Sequence, residues 1–289
     1  MSGFPWPDGC RGAASFTFDV DAESGVLCSH PAAAGNLSTM SHQAYGPRVG
    51  LPRILAMLDR HSVRATFFVP GYTAECYPDR IRMVRDAGHE VAAHGYLHET
   101  PADVSPSVER AALLHGLDVL EELLGTRPIG YRSPSWGLSL DSVGILGEAG
   151  IGYDSSLMDG DEPYLIAHAA GRPLVELPVQ WGLDDWEPFA YLPEITGSGV
   201  IAHPREVVSR WTDEYQATTD EGGHFILTCH PFLSGRPSRT RALEELVATA
   251  VADPGVWVAT MGEVADLAAD CGLVPREDLF SRPEPRALA

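Results

Sequence analysis

Short apolar runs alternate with longer amphipathic segments along most of the chain, and this alternation predicts an α/β fold with a parallel sheet or barrel. The apolar runs are nearly continuous, which is typical of strands that are covered on both faces. We expect strands at residues 14–19, 64–69, 90–93, 129–132, 151–153, 174–177, 225–229 and 256–258.

The amphipathic segments predict helices between these strands. One helix is expected to begin after Ser105, with Pro106 at its first position, and to end before Gly125. Thr260 and Glu263 have the spacing of a capping box at the start of the last helix. The other helices are expected at residues 51–60, 78–87, 140–149, 205–216 and 238–252.

The segment at residues 22–50 departs from this pattern, because it is rich in Gly, Ser, Ala and His and has no clear periodicity. A long irregular loop in a compact domain is usually functional or disordered. We expect this one to fold over the strand end that precedes it, as a lid. The length of 289 residues suits one catalytic domain over 1–289, with a core at about 14–267 and a peripheral tail at 275–289.

Composition excludes several classes of partner and chemistry. Asp and Glu number 40 against 20 Lys and Arg, and the formal net charge of −20 argues against nucleic acid or an anionic membrane surface as partner. The sequence contains no lysine, which excludes Schiff-base chemistry and a P-loop.

The five cysteines are scattered and have no CxxC spacing, so we expect reduced thiols in a cytoplasmic protein. The first residues lack the features of a signal peptide, and no apolar stretch approaches ~20 residues, the length of a membrane span. The expected partner is therefore a small-molecule substrate, with no membrane. The sequence is compatible with a homo-oligomer.

Two short motifs carry the candidate chemistry. The run FTFDVD at residues 16–21 brings Asp19 and Asp21 to the C-terminal end of a buried strand, and HGYLH at residues 94–98 places His94 and His98 on one face if the segment is helical. Either motif alone is common at solvated strand ends and exposed helix faces. Together, one Asp and two His can hold a divalent metal and leave a position for water, as a hydrolytic zinc site requires.

The chain resembles the polysaccharide deacetylase superfamily, carbohydrate esterase family 4 with its chitooligosaccharide deacetylase homology domain. Five segments carry the resemblance: FDVD at 18–21, RATFFV at 64–69, GHEVAAHGYLHE at 88–99, GYRSP at 130–134 and LTCHP at 227–231. The residue inserted between the two acids of FDVD is more like the intracellular branch of cyclic imide hydrolases and peptidoglycan-deacetylase-like proteins. The resemblance implies a distorted (β/α) barrel of seven or eight mostly parallel strands, of the glycoside hydrolase/deacetylase type.

The resemblance also implies roles for individual residues. Asp21, His94 and His98 match the metal ligands, which are replaced in the related metal-independent allantoinases; their presence favours a metal enzyme with zinc. Asp19 is expected to be the general base. Three further residues complete the catalytic set: Arg132 pairs with the base, His230 is the general acid, and Asp154 orients His230.

Five residues are candidates for substrate binding. A backbone N–H near Ser135 or Trp136 would stabilise the oxyanion. Trp181 and Trp186 would stack on a ring, although both could equally fill gaps in the core. Glu23 could contact a polar substrate or be a solvated loop acid.

We therefore predict a hydrolase of non-peptide C–N bonds. Its leading substrate is a small cyclic amide or imide that water opens. The alternatives are N-deacetylation of an amino sugar or peptidoglycan fragment, and a non-catalytic binding protein that retains the barrel.

Overall fold

Nine strands build the sheet in the computed structural model, which describes residues 3–193, 195–196 and 200–277. They are β1 (Gly12–Asp19), β2 (Thr66–Val69), β3 (Glu90–Ala93), β4 (Gly130–Tyr131), β5 (Tyr153–Asp154), β6 (Tyr164–Ile166), β7 (Leu174–Glu176), β8 (His224–Cys229) and β9 (Val256–Val258). All eight predicted strands are present. The sequence pattern does not predict β6, which is only three residues long.

The sheet curls into an incompletely closed barrel. The order of its strands is β6-β7-β5-β4-β3-β2-β1-β8, with β9 also paired to β1. Neighbouring described strands are parallel except for the antiparallel pair of β6 and β7. Asp184, which follows β7 in the sequence, forms a parallel bridge with Thr228 of β8. The predicted distorted barrel is confirmed, with nine strands instead of seven or eight.

Helices cover the outside of the barrel: α1 (Ser24–Ser29), α2 (Leu37–Tyr45), α3 (Leu51–Arg60), α4 (Gly71–Cys76), α5 (Pro78–Asp86), α6 (Pro106–Leu124), α7 (Ser142–Glu148), α8 (Trp186–Phe189), α9 (Pro204–Asp220), α10 (Pro237–Ala252) and α11 (Met261–Asp270). The predicted ends of α6 are confirmed, since Ser105 precedes it and Gly125 follows it at φ 80°. Thr260 and Glu263 form the predicted capping box. Among the described helices, none combines the length and the apolar character needed to cross a membrane.

The prediction that residues 22–50 are irregular is wrong. They form α1 and α2, a 3-10 turn at Pro31–Gly35 and a π turn at Gly46–Gly50. Asn36 caps α2 by accepting a hydrogen bond from the Thr39 amide at 3.1 Å. Val26 packs with Leu192, which is distant in sequence. A helix that is stabilised by such a tertiary contact need not have a periodic apolar pattern of its own. The lid function stays a prediction.

The alternation of β1 places the acids inside the barrel. Phe16 and Phe18 belong to the core between sheet and helices, so the intervening Thr17 and then Asp19 point to the other face. All eight residues of β1 are buried. Because the strands around β1 are parallel, their C-terminal ends meet at one edge of the barrel, where functional loops of such folds lie. Of the predicted tail, residues 278–289 lie outside the described residues.

Candidate active site

The three predicted metal ligands meet at this edge. The Nε2 atoms of His94 and His98 each lie 3.5 Å from a different carboxylate oxygen of Asp21. Ligand atoms that bind one tetrahedral zinc at ~2.0–2.1 Å lie roughly 3.3 Å from one another. The observed spacing therefore suits three ligands of a single ion.

The two histidines do not converge through a helix. The segment from His94 to His98 is a loop after β3, and Gly95 and His98 both have left-handed backbone conformations, with φ of 70° and 69°. The helical arrangement that would put both rings on one face is therefore wrong, although the rings converge. A non-glycine residue at positive φ is strained, and such strain is concentrated at functional sites.

The chemistry of these side chains fits a metal. Asp21 Oδ1 is buried and has no hydrogen-bond partner among the described residues, which a metal ion would correct. His94 Nδ1 lies 2.7 Å from the carbonyl oxygen of Arg132, an arrangement that places the proton on Nδ1 and leaves Nε2 to bind a metal. Burial lowers the pKa of His94 to about 3, against the charge of Asp21, so this imidazole is neutral as a ligand must be.

Arg132 is paired with Asp19, as predicted. Its Nη1 atom donates to Asp19 Oδ1 at 2.9 Å and to Thr17 Oγ1 at 2.8 Å. The side chain is fully buried, with its guanidinium 4.0 Å from the centre of the Phe68 ring. A buried arginine requires anionic and polar partners, and Asp19 supplies the charge that balances it.

Asp185, not the predicted Asp154, orients His230. His230 Nδ1 lies 2.7 Å from Asp185 Oδ1, and the Asp185 carboxylate also accepts the backbone N–H groups of His230 and Ser234. Asp185 is held beside β8 because its own amide donates to Thr228 O at 3.1 Å. The sequence shows Asp184 and Asp185 directly before Trp186, but it gives no sign of the bridge that brings them to β8.

Asp154 ends β5 elsewhere in the barrel. Its carboxylate accepts a hydrogen bond from Ser156 Oγ at 2.8 Å and contacts Glu176. The prediction that Asp154 orients His230 is therefore wrong. The position of an acid at a strand end was correct, but the partner across the sheet could not be read from spacing.

The charges around His230 favour its protonated form. Burial acts against the charge, but Asp184, the hydrogen bond to Asp185 and the charge of Asp21 outweigh it and raise the pKa of His230 well above its usual value. His230 Nε2 lies 3.6 Å from Asp21 Oδ2, so the ring borders the group of metal ligands. Burial raises the pKa of Asp184 to about 7, against the charge of His230.

A second group, Asp184, Asp185 and His230, has donor atoms close enough to hold a metal. Its polar atoms are already occupied: Asp185 accepts three N–H groups, and Asp184 Oδ1 accepts the Trp186 amide at 2.7 Å. Neither carboxylate has a buried oxygen without a partner. This group therefore fits a metal less well than Asp21 with its two histidines.

A cavity of about 280 Å³ opens over these groups, and four of the five predicted substrate contacts line it: Ser135, Trp136, Trp181 and Trp186. The rings of Trp136 and Trp181 lie 4.6 Å apart, and that of Trp186 lies 5.4 Å from His230. Glu23 is not among the lining residues. Its Oε1 atom accepts the Tyr77 hydroxyl at 2.6 Å and its Oε2 atom is buried, so Glu23 is neither a contact of this cavity nor a solvated loop acid.

The loop that carries Ser135 and Trp136 is strained. Both residues have positive φ, 55° and 50°, and each such residue costs on the order of 1–3 kcal/mol. The amide of Trp136 donates to Ser133 O at 3.0 Å. It is therefore already used, which leaves the amide of Ser135 as the candidate donor to an oxyanion.

The chain is similar to known proteins in sequence and in fold. A sequence model of the polysaccharide deacetylase family matches residues 44–153. Peptidoglycan deacetylase from Helicobacter pylori is 29% identical over 277 residues, which cover 87% of this chain and 94% of that protein.

Two solved structures are similar over nearly the whole chain. One from Mycobacterium smegmatis, named provisionally as a polysaccharide deacetylase, is 48% identical, covers 98% of both chains and has a TM-score of 0.94. Another from Pseudomonas aeruginosa, also named provisionally as a polysaccharide deacetylase, is 25% identical, covers 92% of this chain and 94% of its own, and has a TM-score of 0.81.

Proposed function

The chain belongs to the polysaccharide deacetylase family of hydrolases that act on non-peptide C–N bonds, and we propose that its substrate is a small cyclic amide or imide that water opens. Asp21, His94 and His98 would hold a divalent metal, which we infer to be zinc from their nitrogen and oxygen donors. When bound, such an ion lowers the pKa of a coordinated water from ~16 towards ~7 and polarises a carbonyl.

Asp19 is the general base of the proposed reaction. Its carboxylate is buried beside Asp21, and its Oδ1 atom accepts a hydrogen bond from the guanidinium of Arg132. The guanidinium also fixes the direction of the carboxylate, because its other donors are held by Thr17 and Ser155. A positioned base of this kind contributes on the order of 10²–10⁴ in rate.

His230 is the general acid. The carboxylate of Asp185 holds Nδ1, so the proton on Nε2 faces the cavity and the departing nitrogen. Protonation of the nitrogen is required because an amide anion is a very poor leaving group. The carboxylates of Asp184 and Asp185 raise the pKa of His230, which favours the proton that it would donate.

The size and lining of the cavity are the observation that carries the choice of substrate. Its volume of about 280 Å³ is near the lower end of typical small-molecule sites, and aromatic rings form its walls. A flat ring with few polar atoms can stack on Trp136 or Trp181 while its amide faces Asp19 and His230.

N-deacetylation of an amino sugar or peptidoglycan fragment is the second candidate. It is supported by the peptidoglycan deacetylase of Helicobacter pylori, which matches 87% of this chain. The same base and acid would serve both reactions, since each breaks an amide. A purely binding role has less support, because both Asp19 and His230 are in place beside the metal ligands.

Mass spectrometry distinguishes these substrates. Zinc-loaded protein would be incubated with cyclic imides, allantoin-like ureides and N-acetylglucosamine oligomers, with chelator-treated protein as the control. A zinc-dependent product heavier by one water supports ring opening. A product lighter by an acetyl group would contradict it and establish deacetylation.

A further inference from the structure

Two carboxyl groups that the proposed reaction does not use lie near Arg132, on the other side of the turn formed by Ser155 and Ser156. Asp154 and Glu176 end the parallel strands β5 and β7 and are paired in register. Both side chains are fully buried, and the register of the two strands places them side by side on one face of the sheet. A hydrogen bond between two carboxyl groups requires a proton on one of them.

The hydrogen bonds of the four carboxyl oxygens indicate which oxygen carries this proton. Glu176 Oε1 accepts the amides of Ser156 and Leu157 at 3.1 and 2.9 Å, and Asp154 Oδ1 accepts Ser156 Oγ at 2.8 Å. The other two oxygens, Glu176 Oε2 and Asp154 Oδ2, are buried and have no donor among the described residues. A single proton on Glu176 Oε2 that is donated to Asp154 Oδ2 satisfies both.

The local charges agree with this assignment. Two ionised carboxylates in contact would be strongly destabilised, and the buried guanidinium of Arg132 is already paired with Asp19. Burial, together with the charge of Asp154, raises the pKa of Glu176 well above its usual value. Burial raises the pKa of Asp154 only to about 6, and Arg132 opposes that rise.

Among the described residues, the phenols of Tyr131, Tyr153 and Tyr164 are also affected by the charges of this pair. Burial is the main cause that raises each of their pKa values, so all three are neutral. They add no charge that would change the assignment.

The pair fixes the turn that positions Arg132. Ser155 accepts Arg132 Nε at its carbonyl, 3.2 Å away, and Nη2 at its hydroxyl, 3.1 Å away. Ser156 Oγ accepts the Ser133 amide at 2.8 Å while it donates to Asp154. Arg132 and the loop that starts at Ser133 are therefore anchored on the turn that Asp154 and Glu176 hold.

We propose that Glu176 is a protonated positioning residue, which donates to Asp154 and so holds the Ser155–Ser156 turn that places Arg132 against Asp19. The effect of this placement on turnover rests on the proposed function. Its effect on the metal does not, because the carbonyl of Arg132 is the partner of His94 Nδ1.

The test compares E176Q with E176L. The amide of E176Q can accept the same two backbone N–H groups and donate to Asp154, so it reproduces the protonated acid, whereas E176L makes none of these bonds. We expect E176Q to keep the zinc affinity and kcat of the wild type within about threefold. E176L should weaken zinc binding by about tenfold, as loss of outer-sphere support does. It should also lower kcat about ten- to a hundredfold with little change in KM.

Infrared spectroscopy tests the proton directly. The difference spectrum between wild type and E176Q at neutral pH should contain the carbonyl band of a protonated carboxylic acid. E109Q is the matched control, since Glu109 is buried but bonds to Ser139, and it should leave that band unchanged.

Three results overturn the proposal: the absence of this band from the difference spectrum, unchanged zinc affinity in folded E176L, or weakened zinc affinity in E176Q. If E176L does not fold, the infrared carbonyl band and the zinc affinity of E176Q still test the proposal. If E176Q and E176L show the expected zinc affinities but the wild type turns over no amide, the proposed function alone is contradicted.

Discussion

At the scale of single residues, the site separates the residues that hold a metal from those that move protons. Asp21, His94 and His98 have the spacing of ligands, and Asp21 Oδ1 lacks any other partner among the described residues. Asp19 and His230 are each fixed by an oppositely charged side chain, Arg132 and Asp185. The two sets should therefore respond differently to substitution.

His94→Ala should abolish both metal retention and activity, because two remaining ligands seldom hold a catalytic zinc. We expect substoichiometric zinc after gel filtration, measured by elemental analysis. His203→Ala is the control, since this ring is exposed at the start of α9. Full activity of H94A without bound metal would contradict the mechanism.

Asp185→Asn should leave the metal in place and lower kcat by about a hundredfold or more, the contribution of a general acid. The substitution removes the charge that orients and protonates His230, but does not touch a metal ligand. Zinc content and kcat would be measured together. Asp154→Asn separates the two acids by their pH dependence, since it should retain the pH profile that depends on His230, whereas Asp185→Asn should lose it. An unchanged pH profile in Asp185→Asn would count against Asp185 as the orienting acid.

At the scale of elements, the loop from His94 to His98 depends on close contact with α6. A Cβ atom added at Gly116 would lie 2.4 Å from Gly95 O and 3.0 Å from Gly95 C, which are both backbone atoms of the loop. Gly71 of α4 approaches the same place, with its added Cβ 2.8 Å from the Gly116 Cα. The helix can therefore hold the loop only because it carries glycine there.

Gly116→Ala should consequently destabilise the protein by about 1–3 kcal/mol, as overpacking does, and weaken zinc binding by displacing the loop. Gly144→Ala in α7 is the matched control, because nothing lies within 4 Å of its added Cβ. It should be neutral or stabilise the helix by about 0.5–1 kcal/mol. Urea unfolding and zinc titration would measure both effects; equal behaviour of the two variants would contradict this packing.

The elements also show what could be predicted from the sequence. Strands with continuous apolar character and helices with clear caps were predicted, and the acids and histidines at strand ends were found with them. The i, i+4 spacing of His94 and His98 would suit a helix, and it carries no sign of the left-handed backbone at Gly95 and His98. Asp185 was missed because its approach to His230 depends on a single bridge between distant segments.

At the scale of the whole molecule, the barrel has a buried histidine at the end opposite the site. His224 begins β8, its Nε2 lies 2.9 Å from Ser15 Oγ, and its Nδ1 is buried without a partner among the described residues. Burial lowers its pKa to about 3, whereas an unfolded histidine has a pKa of ~6.5. The unfolded chain therefore binds a proton at weakly acidic pH that the folded chain does not.

The stability contributed by a neutral His224 should be fully present above pH ~6.5 and fall by about 1.4 kcal/mol per pH unit as the pH decreases towards about 3. His224→Gln should lose this dependence, so its free energy of unfolding should approach that of the wild type between pH 7 and 5. Exposed His203→Gln should run parallel to the wild type. Parallel urea-unfolding data for H224Q would show that His224 does not carry this effect.

The central claim is that one divalent ion is held by Asp21, His94 and His98, between the base and the acid. A crystal of the zinc-loaded protein, measured on both sides of the zinc absorption edge, tests this directly. We predict a single anomalous peak within ~2.0–2.2 Å of a carboxylate oxygen of Asp21 and of Nε2 of both histidines. A peak on Asp184, Asp185 and His230 instead, or no peak at either group, would contradict the account.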